Sequence, residues 1–473
     1  MDKMKLVFMY LGGRLRRQFF MALPEDEKDL DQSRKFYIAA DSANQLIAQL
    51  AGGTFLMTLL SYTGLSDGVI GTVISLVTLG AVFQLLAMNR VQRLPKRKLF
   101  VSASVLQKIW FGDIFLIPLL SLKNIYMQIL ICGIFLFAQI ASQLGVPASM
   151  DWIASLVPAS ERGKYFSRKD AFAVFFTVFG MFLMGILLDV TKNGHLKIGF
   201  LLIGIVLILL ALLNFISFVK MKEPRTAILN GDGKEMHGSL AKKEMKNQPD
   251  ESYGMKKELR YAFSSGRFRK ALILNLLWTT SFYIALPFNN SYQVKELGLS
   301  YTYIMLIIFI TTILRVAITP GIGKRADRSG SPQMLLWTMA SMGIYYLTMM
   351  FTVPENAKLF FTLASMFSAV GWSFIAIGLF NIQLMCMDRV RRMQQYTILS
   401  GISGLYGFVI SVVGGILLDY LQRNRFSIGN RLIFAQQWMN LIGLLFIILT
   451  ILYLYIAVRP VQPSCDDEDG KLL

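Results

Sequence analysis

Apolar residues recur along this chain in long runs rather than in the narrow stripes of a soluble fold. Twelve runs stand out, at approximately 36–61, 68–89, 99–121, 124–150, 170–190, 196–219, 271–288, 299–320, 333–353, 357–386, 397–420 and 433–457. Each approaches the ~20 residues that a helix needs to cross bilayer hydrocarbon. One long polar stretch interrupts the series, rich in Lys, Glu, Gly and Asn and without apolar period through its middle. It reads as a solvated linker, whose end, Lys256 to Phe268, is expected to form a surface helix. The predicted organisation is an N-terminal segment 1–35, a six-helix bundle 36–220, a linker 221–267, a second bundle 268–458 and a tail 459–473.

The two halves are related. GILLD occurs at Gly185 to Asp189 and again at Gly415 to Asp419, 230 positions later. At the same offset Arg162 answers to Arg392, Asp151 to Asn381 and Ala141 to Gly371. With a small gap, Arg34-Lys35 answers to Arg269-Lys270 and Leu65-Ser66 to Leu299-Ser300. The expectation is an all-α polytopic membrane protein, with 12 transmembrane helices in two pseudo-symmetric six-helix bundles that rock about a site between them. The GILLD strings fall at the ends of runs 5 and 11, where Asp189 and Asp419 are expected to face water.

Composition excludes a soluble domain: 54% of residues are hydrophobic, mean hydropathy is +0.51 and 16% are charged, against roughly 25% charged in soluble proteins. The net charge of +19 raises nucleic-acid binding, but its distribution argues against it. Of 48 Lys and Arg, 38 lie in the N-terminal segment, the even-to-odd loops, the linker and the tail, and 8 in the opposite loops. The positive-inside rule then puts both termini in the cytoplasm of a multi-pass cell-membrane protein, with anionic lipid headgroups as the charge partner. Arg14, Arg16 and Arg17 follow the short apolar N-terminus where a cleavage site would be needed, so an interfacial helix is expected rather than a signal peptide. Cys132, Cys386 and Cys465 are scattered and imply neither disulfide nor metal.

After the eighth run comes Gly323-Lys-Arg-Ala-Asp327-Arg328-Ser-Gly330. This resembles the G-x-x-x-D-R-x-G loop signature of the major facilitator superfamily. The pattern suits a tight turn between spans, with Gly323 and Gly330 permitting close approach and unusual backbone angles, and Asp327 and Arg328 pairing with neighbouring helices. The first copy, Asn89 to Lys98, keeps basic residues but lacks the aspartate and glycines. Pro158 to Tyr165 is similar to the family's P-x-x-x-R-G segment, and Asp388 to Arg392 retains its arginine. The resemblance implies an inner gate formed by Asp151, Glu161, Arg162, Asp327, Arg328, Asp388 and Arg392; loop anchoring is the alternative. The Gly-Pro signature of drug–proton antiporters is missing from Phe172 to Asp189, which lowers the case for efflux.

Ionisable groups inside spans are costly and mark function. Asp41, Asn44, Gln45, Ala48, Gln49 and Gly52 share one face of the first span. Asp41 is the expected proton carrier, unless it is a helix-end carboxylate satisfied near Arg34 and Lys35. The resemblance places spans 1, 4, 7 and 10 around a central cavity, which brings Gln139 and Gln143, Trp278, Tyr283 and Asn289, and Trp372 and Asn381 into consideration as substrate contacts. Amides bond hydroxyls and Trp covers apolar faces, a set suited to a polyol, glycoside or amphipathic ligand. Arg315 either snorkels or serves an anion or Asp41. Lys108 and Asp113 lie in the third run, which the resemblance makes peripheral; a structural role is expected, with Asp113 the second-choice proton carrier.

No G-x-x-x-x-G-K-[ST] loop occurs, so an ion gradient is the expected energy source and no cofactor is implied. Two histidines, His195 and His237, both in loops, leave little enzymatic acid–base chemistry. The resemblance implies a monomeric secondary active transporter moving a small-molecule substrate by alternating access; the carboxylates inside spans favour coupling to protons, with sodium symport or facilitation still open. An exporter or flippase of amphipathic drugs or lipids, and a non-transporting receptor, are the alternatives.

Overall fold

A computed structural model of the chain describes residues 27–80, 82–83, 97–120, 122–145, 149, 162–222, 228–229, 235–236, 255–387, 392–424, 426–428 and 431–459. Among them, nine helices are long and apolar enough to cross a membrane. Shorter or more polar pieces supply the remaining spans, making the predicted twelve. Two short hairpins, β1 and β2 (Ile228–Leu229, Glu235–Met236) and β3 and β4 (Phe426–Ile428, Arg431–Ile433), decorate loops.

The spans are less continuous than their apolar runs suggest. Span 1 comprises Glu27–Leu50 and Gly53–Tyr62, broken where Gly53 takes a φ of 46°. Span 2 is Asp67–Ile74 continued by a 3-10 turn, Ser75–Leu79. Span 3 is Arg97–Leu106 and Ile109–Leu116, interrupted at Gln107-Lys108 and extended by Ile117–Leu120. Span 4 is Asn124–Leu144, span 5 Arg162–Thr191 and span 6 Leu196–Lys220. A short helix, Met255–Ser264, leads into span 7, Gly266–Ser291 with a wider turn at Tyr292–Glu296. Span 8 is Tyr301–Ser329 and span 9 Ser331–Met350. Span 10 breaks at Ser373-Phe374 between Ala357–Trp372 and Ile375–Met385. Span 11 is Arg392–Arg423, and span 12 Ala435–Tyr453 plus Leu454–Val458. Helices start where a serine relieves the first free amides: Ser66, Ser265 and Ser300 accept from Val69, Phe268 and Tyr303.

Packing obeys the predicted symmetry. Span 1 packs on spans 5 and 6, as span 7 does on 11 and 12; span 6 packs on span 3 as span 12 does on span 9. Apolar side chains such as Val190, Ile416 and Ile456 point outward at 75%, 68% and 70% exposure, the expected lipid face. Inside, hydroxyls bond back to carbonyls one turn earlier, as Thr58 does to Thr54 and Thr450 to Phe446.

The bundles meet along two seams, span 5 against span 8 and span 2 against span 11. Here the GILLD aspartates, both half-exposed, do more than face water: each is engaged across the interface. Asp189 accepts the amides of Tyr301 and Thr302 at 3.0 and 2.6 Å, at the start of span 8. Asp419 accepts the amide of Gly68 at 2.9 Å and the Ser66 hydroxyl at 2.7 Å, at the start of span 2. A carboxylate at a helix start satisfies free amides and complements the positive end of the dipole. The glycines of the strings let the backbones close: a β-carbon on Gly415 would lie 2.5 Å from the Gly68 carbonyl oxygen, and one on Gly185 2.7 Å from Met305. The two sequence repeats, GILLD and Leu-Ser, are thus opposite sides of one contact made twice.

Both seams belong to the half of the molecule that holds the 62–67 and 296–301 turns, here called the distal half. Between described residues, the cross-bundle hydrogen bonds and ion pairs run from mid-depth to the distal end. Ser411 reaches Ser75 at 2.7 Å, Thr58 the Tyr301 hydroxyl at 3.2 Å and Thr54 Asn290 at 3.3 Å. Lys295 pairs with Asp67 at 2.5 Å, and Gln422 donates to the same carboxylate at 3.0 Å. The distal side is closed.

Candidate functional site

A chamber of about 280 Å³ lies within the first bundle and one of about 520 Å³ lies between the bundles, with Val77 and Gln143 lining both. The breaks in spans 1, 3 and 10 contribute Ala51, Lys108 and Trp372 to these walls. An interrupted helix inside a membrane protein is tolerated where its backbone faces protein or a cavity, so the breaks coincide with the cavity for a physical reason.

The N-terminal wall is charged. Asp41 and Lys108 line it with Tyr37, Asn44, Gln139 and Gln143. One oxygen of Asp41, Oδ2, accepts from Gln45 at 2.9 Å and from Lys169 of span 5 at 2.8 Å. Lys169 also reaches Asp170 at 2.8 Å and sits 5.5 Å from the Tyr37 ring, so one ammonium is shared by two carboxylates and packed on an aromatic face. Lys108 donates to the amide oxygen of Asn44 at 2.5 Å. Helix geometry explains Asp41: span 1 begins at Glu27, well before its apolar run, which places Asp41 fourteen residues into the helix, about 21 Å along it at ~1.5 Å per residue. Its partner is neither Arg34 nor Lys35; Lys35 pairs with Asp31 at 2.7 Å.

The C-terminal wall is aromatic and amide-lined. Trp372 packs edge-on against Trp278 and Phe282, which are tilted to each other, with centroids 5.5 to 5.9 Å apart. Beside them, Gln383 donates to Asn275 at 2.9 Å and Asn275 to Ser403 at 2.6 Å. Tyr283 and Tyr396 complete the rim.

Of the predicted contacts, Asn44, Gln139, Gln143, Trp278, Tyr283 and Trp372 face these chambers, while Gln45 acts through Asp41. Gln49 is exposed away from the lining. Asn289 is buried in a triad with Tyr345 (2.9 Å) and Asn440 (3.1 Å), which makes it internal scaffolding of the second bundle. Asn381 donates to Ser331 at 3.3 Å and does not line the chambers. Asp113 and Arg315 are half-buried outside the lining, with no bonded partner among the described residues. In the loop signature, Gly330 takes the left-handed φ of 85° that the turn needs, whereas Gly323 lies inside span 8 with open space around it. Arg328 is exposed. Asp151, Glu161 and Asp388, and the side chains of Arg162, Asp327 and Arg392, lie outside the described residues.

Sequence reasoning missed Lys169 and undervalued Lys108. The fifth apolar run starts at residue 170 and so puts Lys169 in a loop, whereas the helix begins at Arg162 and carries Lys169 two turns inward. The signal for Lys108 was the Ser104, Lys108, Phe111 spacing, one helical face that now lines the cavity.

The sequence profile described as Major Facilitator Superfamily matches residues 42–415. No curated protein matches the chain in sequence. Among solved structures, the nucleoside transporter NupG superposes with a TM-score of 0.61 at 13% identity, over 92% of this chain and 100% of that one. A D-xylose-proton symporter gives 0.59 at 16% identity, over 90% and 97%. The POT family transporter PepTSo gives 0.60 at 12% identity, over 91% and 98%. At these identities the likeness is one of fold.

Proposed function

The chain belongs to the major facilitator superfamily, and on that premise we propose that it is a secondary active transporter moving a small solute across the cell membrane by alternating access, coupled to protons. The observation that carries the reading is the Asp41–Lys169–Asp170 cluster, whose Asp41 lines the chamber of the first bundle. A carboxylate there can gain or lose its ion pair as the cavity changes exposure. Charge placement along the chain supports cytoplasmic termini, so the cavity faces the cytoplasm and the distal seams face outside.

Asp41 is the proton carrier in this mechanism. Tyr37 of its own span, Lys108 of span 3, and Tyr165, Lys169 and Asp170 of span 5 are the titratable or charged groups around it. When a proton arrives at Asp41, Lys169 keeps Asp170 as its partner, and the tie between spans 1 and 5 is released. Substrate enters between the aromatic wall of the second bundle and the polar wall of the first. The two GILLD caps and the Lys295–Asp67 pair hold the outside shut, and their exchange for contacts on the other face turns the carrier over.

The test is flux through reconstituted vesicles. Accumulation of a solute from a panel of sugars, nucleosides, peptides and organic acids should collapse with an uncoupler and with Asp41→Asn. Uptake that ignores both would remove the proton from the mechanism.

A further inference from the structure

We infer that Asp170 of span 5 and Arg315 of span 8 are the two halves of a proximal closure, on the side opposite the distal seams. When that side shuts, Arg315 takes the Asp170 carboxylate from Lys169. The inference rests on the transporter reading and deepens it by naming a contact that replaces the distal caps.

The register of spans 5 and 8 brings the two charges to one level. The helices run antiparallel from the Asp189–Tyr301 cap, past Gly185 and Met305, to the Phe175–Phe309 ring contact at 6.5 Å. Counted onward from that contact (175 to 170 and 309 to 315), Asp170 and Arg315 lie about 7.5 and 9 Å further toward the proximal side at ~1.5 Å per residue. They also share an orientation. Asp170 continues the face of Thr177, Met181 and Leu188, all buried, and lies opposite the exposed Phe172 and Phe179. Arg315 continues the face of Ile304 and Thr311, both buried, and lies opposite the exposed Leu306 and Ile313. Both charges are therefore on the interior side of their helices and not on the lipid side. Yet the Asp170 side chain is 60% exposed, so the face that is sealed at Leu188 and Met181 stands open at its level.

Closing this gap strips water from both groups. A carboxylate or guanidinium buried alone is costly, whereas the two together form paired, charge-assisted bonds. Lys169 holds Asp170 at 2.8 Å in the open arrangement, and it holds Asp41 at 2.8 Å as well. Giving Asp170 to Arg315 leaves Lys169 with Asp41, so none of the four charges is orphaned while Asp41 is ionised. A proton on Asp41 removes that alternative; Lys169 then keeps Asp170, and the proximal side stays open. Arg34 and Tyr37 of span 1, Lys108 of span 3, and Tyr165 and Arg168 of span 5 are the other titratable or charged neighbours, and none of them is a carboxylate.

The experiment is a double-mutant cycle on the full-length protein in lipid vesicles, with Cys132, Cys386 and Cys465 replaced by alanine. Spin labels at Ser167→Cys and Lys324→Cys, both exposed positions, report the proximal distance. Asp170→Asn and Arg315→Gln should each cut the short-distance population at least fivefold, and the double variant should lose no more than either single one. Asp41→Asn, which leaves Lys169 to Asp170 alone, should lower the same population at least threefold. Single losses that multiply in the double variant, or a closed population that holds or rises in Asp41→Asn, overturn the inference. Single variants that keep both closure and proton-driven uptake overturn it while leaving the transporter reading intact. A coupled cycle in a protein that moves no solute of the panel does the reverse: the closure stands and the transporter reading falls. A parent chain with only the open distance removes alternating access, and the inference with it.

Discussion

Asp419 at the end of span 11 accepts the backbone amide of Gly68 at the start of span 2, 2.9 Å away across the bundle interface. Asp189 does the same for span 8. Each cap is worth about 0.5–2 kcal/mol by analogy with helix N-caps. Replacing either aspartate with alanine should therefore shift the population toward distal opening by roughly twofold to thirtyfold at ~1.4 kcal/mol per tenfold. Spin-label distances across the distal ends report that shift; unchanged distributions in the double variant would remove the caps from the gate.

The close approach at this seam predicts a second, steric effect. A β-carbon on Gly68 would lie 2.2 Å from the Gly415 carbonyl oxygen and 2.6 Å from the Asp419 carboxylate. Gly68→Val should force spans 2 and 11 apart and leave a cysteine at the distal end of either span more reactive to an impermeant thiol reagent. Protection equal to that of the parent protein contradicts this geometry.

Asp41→Asn abolishes the ion pair with Lys169 but keeps a side chain able to bond Gln45. Substrate exchange between equal concentrations should continue, while uptake driven by a pH gradient is lost. Loss of both in a stably folded variant would assign Asp41 to substrate binding or structure instead of coupling.

Trp372 closes the aromatic wall at the span 10 break, and Trp372→Ala should weaken solute binding about tenfold, near the ~1.4 kcal/mol that such contacts reach. Asn289→Ala makes the opposite prediction. It orphans Asn440 and Tyr345 in the core of the second bundle, costing about 1–3 kcal/mol per lost partner. A lowered melting temperature with unaltered affinity is the expected pattern, and the reverse pattern would place Asn289 in the site.

Much of the fold was legible because hydrocarbon imposes a simple rule on sequence: twelve apolar runs and a half-length repeat suffice for twelve spans in two bundles. Side-chain positions across the cavity were less legible. Trp278, Trp372, Gln139 and Gln143 were found because they interrupt apolar faces of spans that the family resemblance places centrally. Lys169 was hidden because hydropathy marks where the lipid begins and not where the helix begins, and the two differ by eight residues in span 5. Lys108 was discounted because its span is peripheral as a whole, yet the helix breaks at that residue. Asp189 and Asp419 look like ordinary loop-facing carboxylates, since sequence does not show which helix start approaches from the other bundle.

The Lys295–Asp67–Gln422 cluster gives the distal closure an edge that symmetry alone would not. It fastens the flank of spans 2, 7 and 11, and its symmetry-related flank, spans 5 and 8, carries instead Lys192 over the Tyr301 ring at 5.7 Å. One margin adds an ion pair to its cap, while the other adds to the Asp189 cap only the Thr58–Tyr301 hydrogen bond and a cation over an aromatic face. The molecule should therefore unzip like a door rather than part like curtains, starting at spans 5 and 8 and swinging about the ion-paired margin. A solute approaching from that side would meet the first gap off-axis, which makes the direction of entry a property of this chain and not of its fold.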